Sequence, residues 1–234
     1  SGNCRAHRDI GVKEMNFAEW EPIYQQIVTD FKFSREQDEA AARLLNELVA
    51  SRESMSPDRL RLRIGKEITV CGDALSLEAE LRQRGVGGTI MAADGATSTL
   101  LHTFGRVPDI IVTDLDGDIA DLMSANAQGA VLIIHAHGDN MDALRKYVPR
   151  FSGLVMATTQ VRPFGHLYNF GGFTDGDRAV ILAKHLGAMN IQLVGFDFDT
   201  PRPKEGRSIE NKKRKLAWAR HLIYDLTLAK AETT

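Results

Sequence analysis

Carboxylates recur in this chain at the places where short apolar runs end. Asp94 follows the run 89–92, Asp114 and Asp116 follow 110–112, Asp139 and Asp142 follow 130–134, and Asp197 and Asp199 follow 191–194. A lone aspartate after such a run is ordinarily a helix cap or a turn residue. Repetition at four run ends favours a shared site instead. In Thr113-Asp114-Leu115-Asp116-Gly117-Asp118, an extended backbone sends Asp114 and Asp116 to the same side, because side-chain direction has a period of two. Like charges held close repel unless a cation lies between them, and a hard cation with oxygen ligands, such as Mg²⁺, suits a site that handles phosphates. Asp114 and Asp116 are therefore the expected metal-binding pair, with Asp94 and Asp139 at neighbouring run ends. Asp118 directly precedes Ile119 and reads as a helix N-cap.

Other motifs sit at the same kind of position. In Ala93-Asp94-Gly95-Ala96 a small-residue turn opens a helix, where backbone N–H groups can approach phosphate oxygens. The turn from Gly72 through Ser76 to Leu77 either meets a nucleotide or simply connects strand to helix. His135-Ala136-His137-Gly138-Asp139-Asn140 could orient phosphate, supply supporting hydrogen bonds, or pack; as a zinc site the pair lacks enough protein ligands. The loop 171–178 is glycine-rich: Thr174 and Asp175 either cap the following helix or join Asp177 and Arg178 in binding a ligand, Arg178 through charge-assisted bonds to phosphate. Neither a P-loop nor a G-x-G-x-x-G turn after a strand is present, which argues against P-loop kinases and dinucleotide oxidoreductases.

The elements that must carry these residues follow from periodicity. Up to about residue 58, apolar residues recur at helical spacing (Phe17, Trp20, Tyr24, Ile27, then Leu44, Leu45, Leu48, Val49), which predicts an N-terminal helical subdomain over 1–58. Ser34, with Gln37 three residues on, predicts the cap of its second helix. From 59 to 234 short apolar runs alternate with helix-length segments. Runs this apolar suit strands covered on both faces, so the expected fold is α/β, a doubly wound, mainly parallel sheet with helices on both faces. In such a sheet the strand ends that carry the aspartates share one edge, where ligands bind. Lys212, Lys213, Arg214 and Lys215 are expected on the solvated side of a final helix that runs through Trp218 and Leu222.

Composition sets the outer bounds. The 234 residues carry 29 Lys and Arg against 31 Asp and Glu, a net charge of -2, so no nonspecific attraction to nucleic acid is expected. The two cysteines, Cys4 and Cys71, lack metal-site spacing, and Cys71 reads as a buried reduced thiol. With no membrane-length apolar stretch and no leader pattern, a cytoplasmic location is the expectation.

The motifs 94–96, 108–118, 135–140 and 172–179, in this order and spacing, resemble the archaeal 6-hydroxymethyl-7,8-dihydropterin pyrophosphokinase family, whose members resemble the catalytic domain of thiamine pyrophosphokinase. The resemblance implies transfer of diphosphate from ATP to a pterin hydroxymethyl group with release of AMP, in tetrahydromethanopterin or folate-type biosynthesis. It also implies a catalytic set of Asp94, Asp114, Asp116 and Asp139, Mg²⁺ held by Asp94, Asp114 and Asp116, and ATP or pterin contacts among Gly72, Ser76, Gly95, Thr113, His137, Asn140, Thr174, Asp175, Asp177 and Arg178. A homodimer is common in the family. The chain departs from the family's Gly-x-Gly-Pro-Ser-Leu turn: Gly72, Ser76 and Leu77 remain, while Ala74 and Leu75 replace Gly and Pro. Thiamine pyrophosphokinase activity and a noncatalytic nucleotide-binding role are the alternatives.

Overall fold

A computed structural model describes residues 15–201 and 208–228. Cys4 lies outside them. Seven parallel strands form one sheet in the order β6-β5-β4-β3-β2-β1-β7. They are β1 (Glu67–Cys71), β2 (Thr89–Ala93), β3 (Ile110–Thr113), β4 (Val131–Ala136), β5 (Val155–Thr159), β6 (Leu167–Tyr168) and β7 (Asn190–Val194). The central strands β2 to β5 are buried along their whole length, as their uninterrupted apolar runs require of a sheet covered on both faces. The edges differ: β6 has two residues, and β7 is partly exposed. No helix among the described residues is long and apolar enough to cross a membrane.

Steps from β1 to β4 run in one direction across the sheet through α4 (Leu77–Arg84), α5 (Ala96–Phe104) and α6 (Ile119–Ala127), which pack in a row. Right-handed crossovers in one direction keep such helices on one face. The return from β6 to β7 runs the other way through α8 (Asp175–His185), which lies against β1, β2, β3 and β7. Handedness assigns α8 to the opposite face, and its run from Asp177 to Ala183 is buried.

Before the sheet come α1 (Phe17–Phe31), α2 (Arg35–Val49) and the short α3 (Pro57–Arg61). Asn16 caps α1 reciprocally with Glu19, and Ser34 caps α2 by accepting from the Gln37 N–H. Trp20, Tyr24 and Ile27 recur at i, i+4 and i+7 on the buried side of α1, and they join Leu45 and Val49 of α2 in the same hydrophobic core as the strands. Two polar anchors add direction. Trp20 Nε1 donates to the Gln160 carbonyl at 2.8 Å, and the Arg52 guanidinium donates to the carbonyls of Val148, Phe151 and Gly153. After β4 a single 3₁₀ turn, Gly138–Asn140, leads into α7 (Met141–Tyr147). The last helix, α9 (Ile209–His221), continues as a π-helical turn that buries Leu222 and Ile223.

Candidate active site

Parallel register brings the carboxyl ends of β2, β3 and β4 side by side: Ala93 pairs with Val112, and Thr113 with Ile134. Just past these ends, Asp94, Asp114 and Asp175 each offer an oxygen, and the three oxygens lie within 4.8 Å of one another. Asp94 and Asp114 arrive from strand ends, and Asp175 from the first turn of α8, so the far crossover closes the triad. Asp94 is buried and its Oδ1 accepts from Thr113 Oγ1 at 2.5 Å, while the same Thr113 oxygen accepts from the Leu115 N–H.

Backbone strain marks the same spot. Asp94 has φ +32° and Leu115 φ +67°, and a left-handed non-glycine residue costs roughly 1–2 kcal/mol. The extended run expected from Thr113 to Asp116 therefore ends at Leu115. Asp114 turns inward toward His137, whereas Asp116 stays exposed, near enough to Asp94 to hydrogen-bond with its carboxylate and to repel it. Two glycines make room for the carboxylates: a Cβ on Gly95 would meet Asp73 Oδ2 at 2.6 Å, and one on Gly117 would collide with the Asp94 carboxylate.

Electrostatics follow from this crowding. Burial pushes the Asp94 carboxyl up to about 8; the Thr113 bond works against that shift, and the charges of Asp114 and Asp116 add to it. Asp175 is pushed well above the ordinary carboxylate range by burial and by Asp114, although Arg178 Nη1 meets its Oδ1 at 3.2 Å. Asp114 goes the other way. Burial raises it too, but the His137 bond and the charges of Arg178 and Lys215 outweigh burial and hold it at about 2. His137 Nδ1 accepts from the Asp139 N–H, which leaves the proton on Nε2 to donate to Asp114 Oδ2 at 3.1 Å. Asp114 Oδ1 is buried with no hydrogen-bond partner among the described residues. An orphaned carboxylate oxygen, inside a triad whose members repel one another, is a donor set that a hard divalent cation fits.

The remaining expected site residues lie around the triad and along the same sheet edge. Asn140 is buried and donates to the carbonyls of Asp114 and His135 while its Oδ1 accepts from the His137 N–H, so it ties the β3 end to the β4 end. Asp177 accepts from the N–H groups of Phe173 and Thr174 and from the Thr174 hydroxyl, which locks the loop that presents Asp175. Asp139 is exposed in the 3₁₀ turn and reaches the site through its N–H on His137. Gly72 and Ser76 lie farther along the sheet edge, where the turn after β1 is fastened to β7: Gly72 N–H donates to the Val194 carbonyl and Ala74 N–H to that of Gly195. Ser76 lines an open groove there with Phe196, Phe198 and Tyr224. Asp118 caps α6 as expected, Asp142 pairs with Arg145, and Asp197 accepts from the N–H groups of Asp199 and Thr200.

Sequence reasoning missed Asp38. It sits on α2, is buried, and accepts from Tyr24 Oη, from Gln160 Nε2 and from the Gly138 N–H at 2.7 to 2.8 Å. An acid on the apolar side of an amphipathic helix was its only signal.

A model of the MptE-like 6-hydroxymethylpterin diphosphokinase family matches residues 30–202, which contain the triad and the loops that support it. The chain belongs to this family. A relative from Pyrococcus furiosus named 6-hydroxymethyl-7,8-dihydropterin pyrophosphokinase is 43% identical over 219 residues, covering 89% of this chain and 93% of its own. Proteins of the same name from Methanothermobacter thermautotrophicus and Methanocaldococcus jannaschii are 44% and 36% identical, over 76% and 89% of this chain and 77% and 95% of their own. The likeness thus extends well beyond the aspartate motifs, across the N-terminal helices and the sheet.

Proposed function

We propose that the protein transfers diphosphate from ATP to 6-hydroxymethyl-7,8-dihydropterin, with Mg²⁺ held by Asp94, Asp114 and Asp175. The observation that carries the reading is the triad itself, three mutually repelling carboxylates with an orphaned Asp114 oxygen at the ligand-binding edge of a family member's sheet. Bound there, Mg²⁺ supplies charge neutralisation for the phosphates and a template that aligns them.

The chain's own groups do the rest. His137 and Asn140 fix Asp114 on the β3 side, and Arg178 fixes Asp175 on the α8 side. Asp116, exposed at the rim beside Asp94, faces incoming nucleotide and meets the cation that ATP carries. The hydroxymethyl oxygen of the acceptor forms a bond to the β-phosphorus and gives up its proton, while the bond from that phosphorus to the α–β bridging oxygen breaks and AMP leaves. In such a transfer the protein's contribution is alignment and electrostatic stabilisation, and no covalent nucleophile is needed.

The test is a product analysis. With ATP, Mg²⁺ and 6-hydroxymethyl-7,8-dihydropterin, the expected products are AMP and the pterin diphosphate in equal amounts. ADP with a pterin monophosphate overturns the type of transfer, and diphosphorylation of thiamine in place of the pterin overturns the acceptor.

A further inference from the structure

The run 212–215 divides in the folded chain. Lys212, Lys213 and Arg214 are exposed, as expected of a solvated helix side, but Lys215 is half-buried and points inward. Its Nζ lies 5.5 Å from the centre of the Phe173 ring and 5.8 Å from that of Phe33. Phe173 comes two residues before Asp175 in the loop that completes the triad, and the Lys215 charge reaches Asp114. The inward direction is built in by how α9 docks. Arg214 donates to the Asp30 carbonyl and lies over the Phe31 ring at 4.6 Å, and Trp218 Nε1 donates to Asp30 Oδ2 at 3.0 Å. With its neighbours thus fastened to the end of α1, the next side chain is delivered between two aromatic faces, which restrain an ammonium by cation–π attraction.

We propose that Lys215 is a polyphosphate-binding residue, whose ammonium group receives the diphosphate portion of a nucleoside triphosphate beside the carboxylate triad. The nature of the ligand rests on the diphosphate-transfer reading above. Chemistry favours the role: an ammonium on a long stem is a compact, strongly hydrated charge suited to phosphate oxygens, and partial burial strengthens its pull. Need favours it as well. Three triad carboxylates and Asp116 outnumber the charges of one divalent cation, and a triphosphate adds more negative charge. Arg178 and His137 direct their donors at Asp175 and Asp114. Lys215 comes from a different element and approaches past Phe33 and Phe173.

The experiment compares the full chain with Lys215→Met, Lys215→Arg and the surface control Lys213→Met. Binding of Mg-ATP and of inorganic pyrophosphate with Mg²⁺ is measured by calorimetry, and KM for ATP and for the pterin by steady-state kinetics. Lys215→Met is expected to weaken both anions about 10- to 100-fold, the range of a charge-assisted hydrogen bond. It should raise the KM for ATP and leave the pterin KM within about twofold. Lys215→Arg should recover part of the affinity, and Lys213→Met should match the wild type. If Lys215→Met is misfolded by circular dichroism, Lys215→Gln supplies the same comparison. Wild-type affinity for both anions in a folded Met or Gln variant overturns the proposal. A wild-type protein that binds Mg-ATP yet yields no pterin diphosphate overturns the reaction reading, while the anion titrations still decide Lys215.

Discussion

At the scale of single residues, the triad separates two roles for aspartates that look alike in the sequence. Replacing Asp94, Asp114 or Asp175 by Asn keeps shape and removes a metal-binding charge, so each is expected to lower kcat by at least about 10-fold, about 1.4 kcal/mol in the barrier. Asp116→Asn is expected to act mainly on the KM for Mg-ATP, because Asp116 stands at the exposed rim. Steady-state kinetics with Mg²⁺ titration on folded variants checks both, and a kcat loss for Asp116→Asn as deep as for Asp175→Asn would reverse the assignment. Why Asp94 and Asp114 are legible from sequence is plain: apolar runs mark parallel strands, and parallel strands align their ends. Asp175 read as a cap or a phosphate contact, because only the long crossover to α8 places it opposite two strand ends.

His135 offers a pH test away from the triad. It is buried, its Nδ1 meets Thr158 Oγ1 at 3.0 Å, and burial holds its pKa well below the ordinary histidine value. The native protein therefore stays unprotonated there while the unfolded chain takes up a proton below about pH 6.5. More protons bound in the unfolded state means stability that falls as pH falls. Between pH 7 and pH 5 the wild type is expected to lose about 2 kcal/mol more than His135→Gln, read from urea midpoints at the two pH values. Equal losses would show that His135 does not carry this dependence.

At the scale of elements, the strands were the most legible part of the chain. Runs expected at 89–92, 110–112, 130–134 and 191–194 all fall within a residue or two of observed strands, because burial on both faces leaves an unmistakably apolar signature. Two-residue β6 escaped notice: at the sheet edge it needs no such run. Lys215 was misplaced for a related reason, since the direction of a helix residue depends on what the helix docks against, and Asp30 is far away in sequence. Asp38 shows how one element sets another's geometry. Asp38→Ala leaves Tyr24 Oη, Gln160 Nε2 and the Gly138 N–H without their acceptor, and each buried donor left unsatisfied costs about 1–3 kcal/mol. Because Gly138 follows His137, the same change should loosen the support of Asp114 and lower kcat. Thermal unfolding and turnover measured together check this, and a destabilised variant with wild-type kcat would confine Asp38 to stability.

For the whole molecule, the question is whether the helices before residue 59 are a separable subdomain or part of one cooperative unit. Trp20, Tyr24, Ile27, Leu45 and Val49 are buried in the core they share with the sheet. At roughly 2 kcal/mol for each buried apolar side chain, removing these five forfeits on the order of 10 kcal/mol. Net stabilities of domains are only about 5–15 kcal/mol, so that loss is comparable to everything that holds the fold together. Deletion also removes the Arg52 guanidinium from three carbonyls and the Asp38 carboxylate from the turn behind His137. A chain that starts at residue 59 is therefore expected to lack a cooperative unfolding transition, to bind a hydrophobic dye, and to lose its activity. Supplying residues 1–58 as a separate peptide should restore part of that activity, because α2 packs against β4 and β5 in one shared core and the two pieces can fold together. A truncated protein that is monomeric, melts like the full chain and keeps its kcat would mean that the sheet stands alone and that α1 and α2 merely cover it.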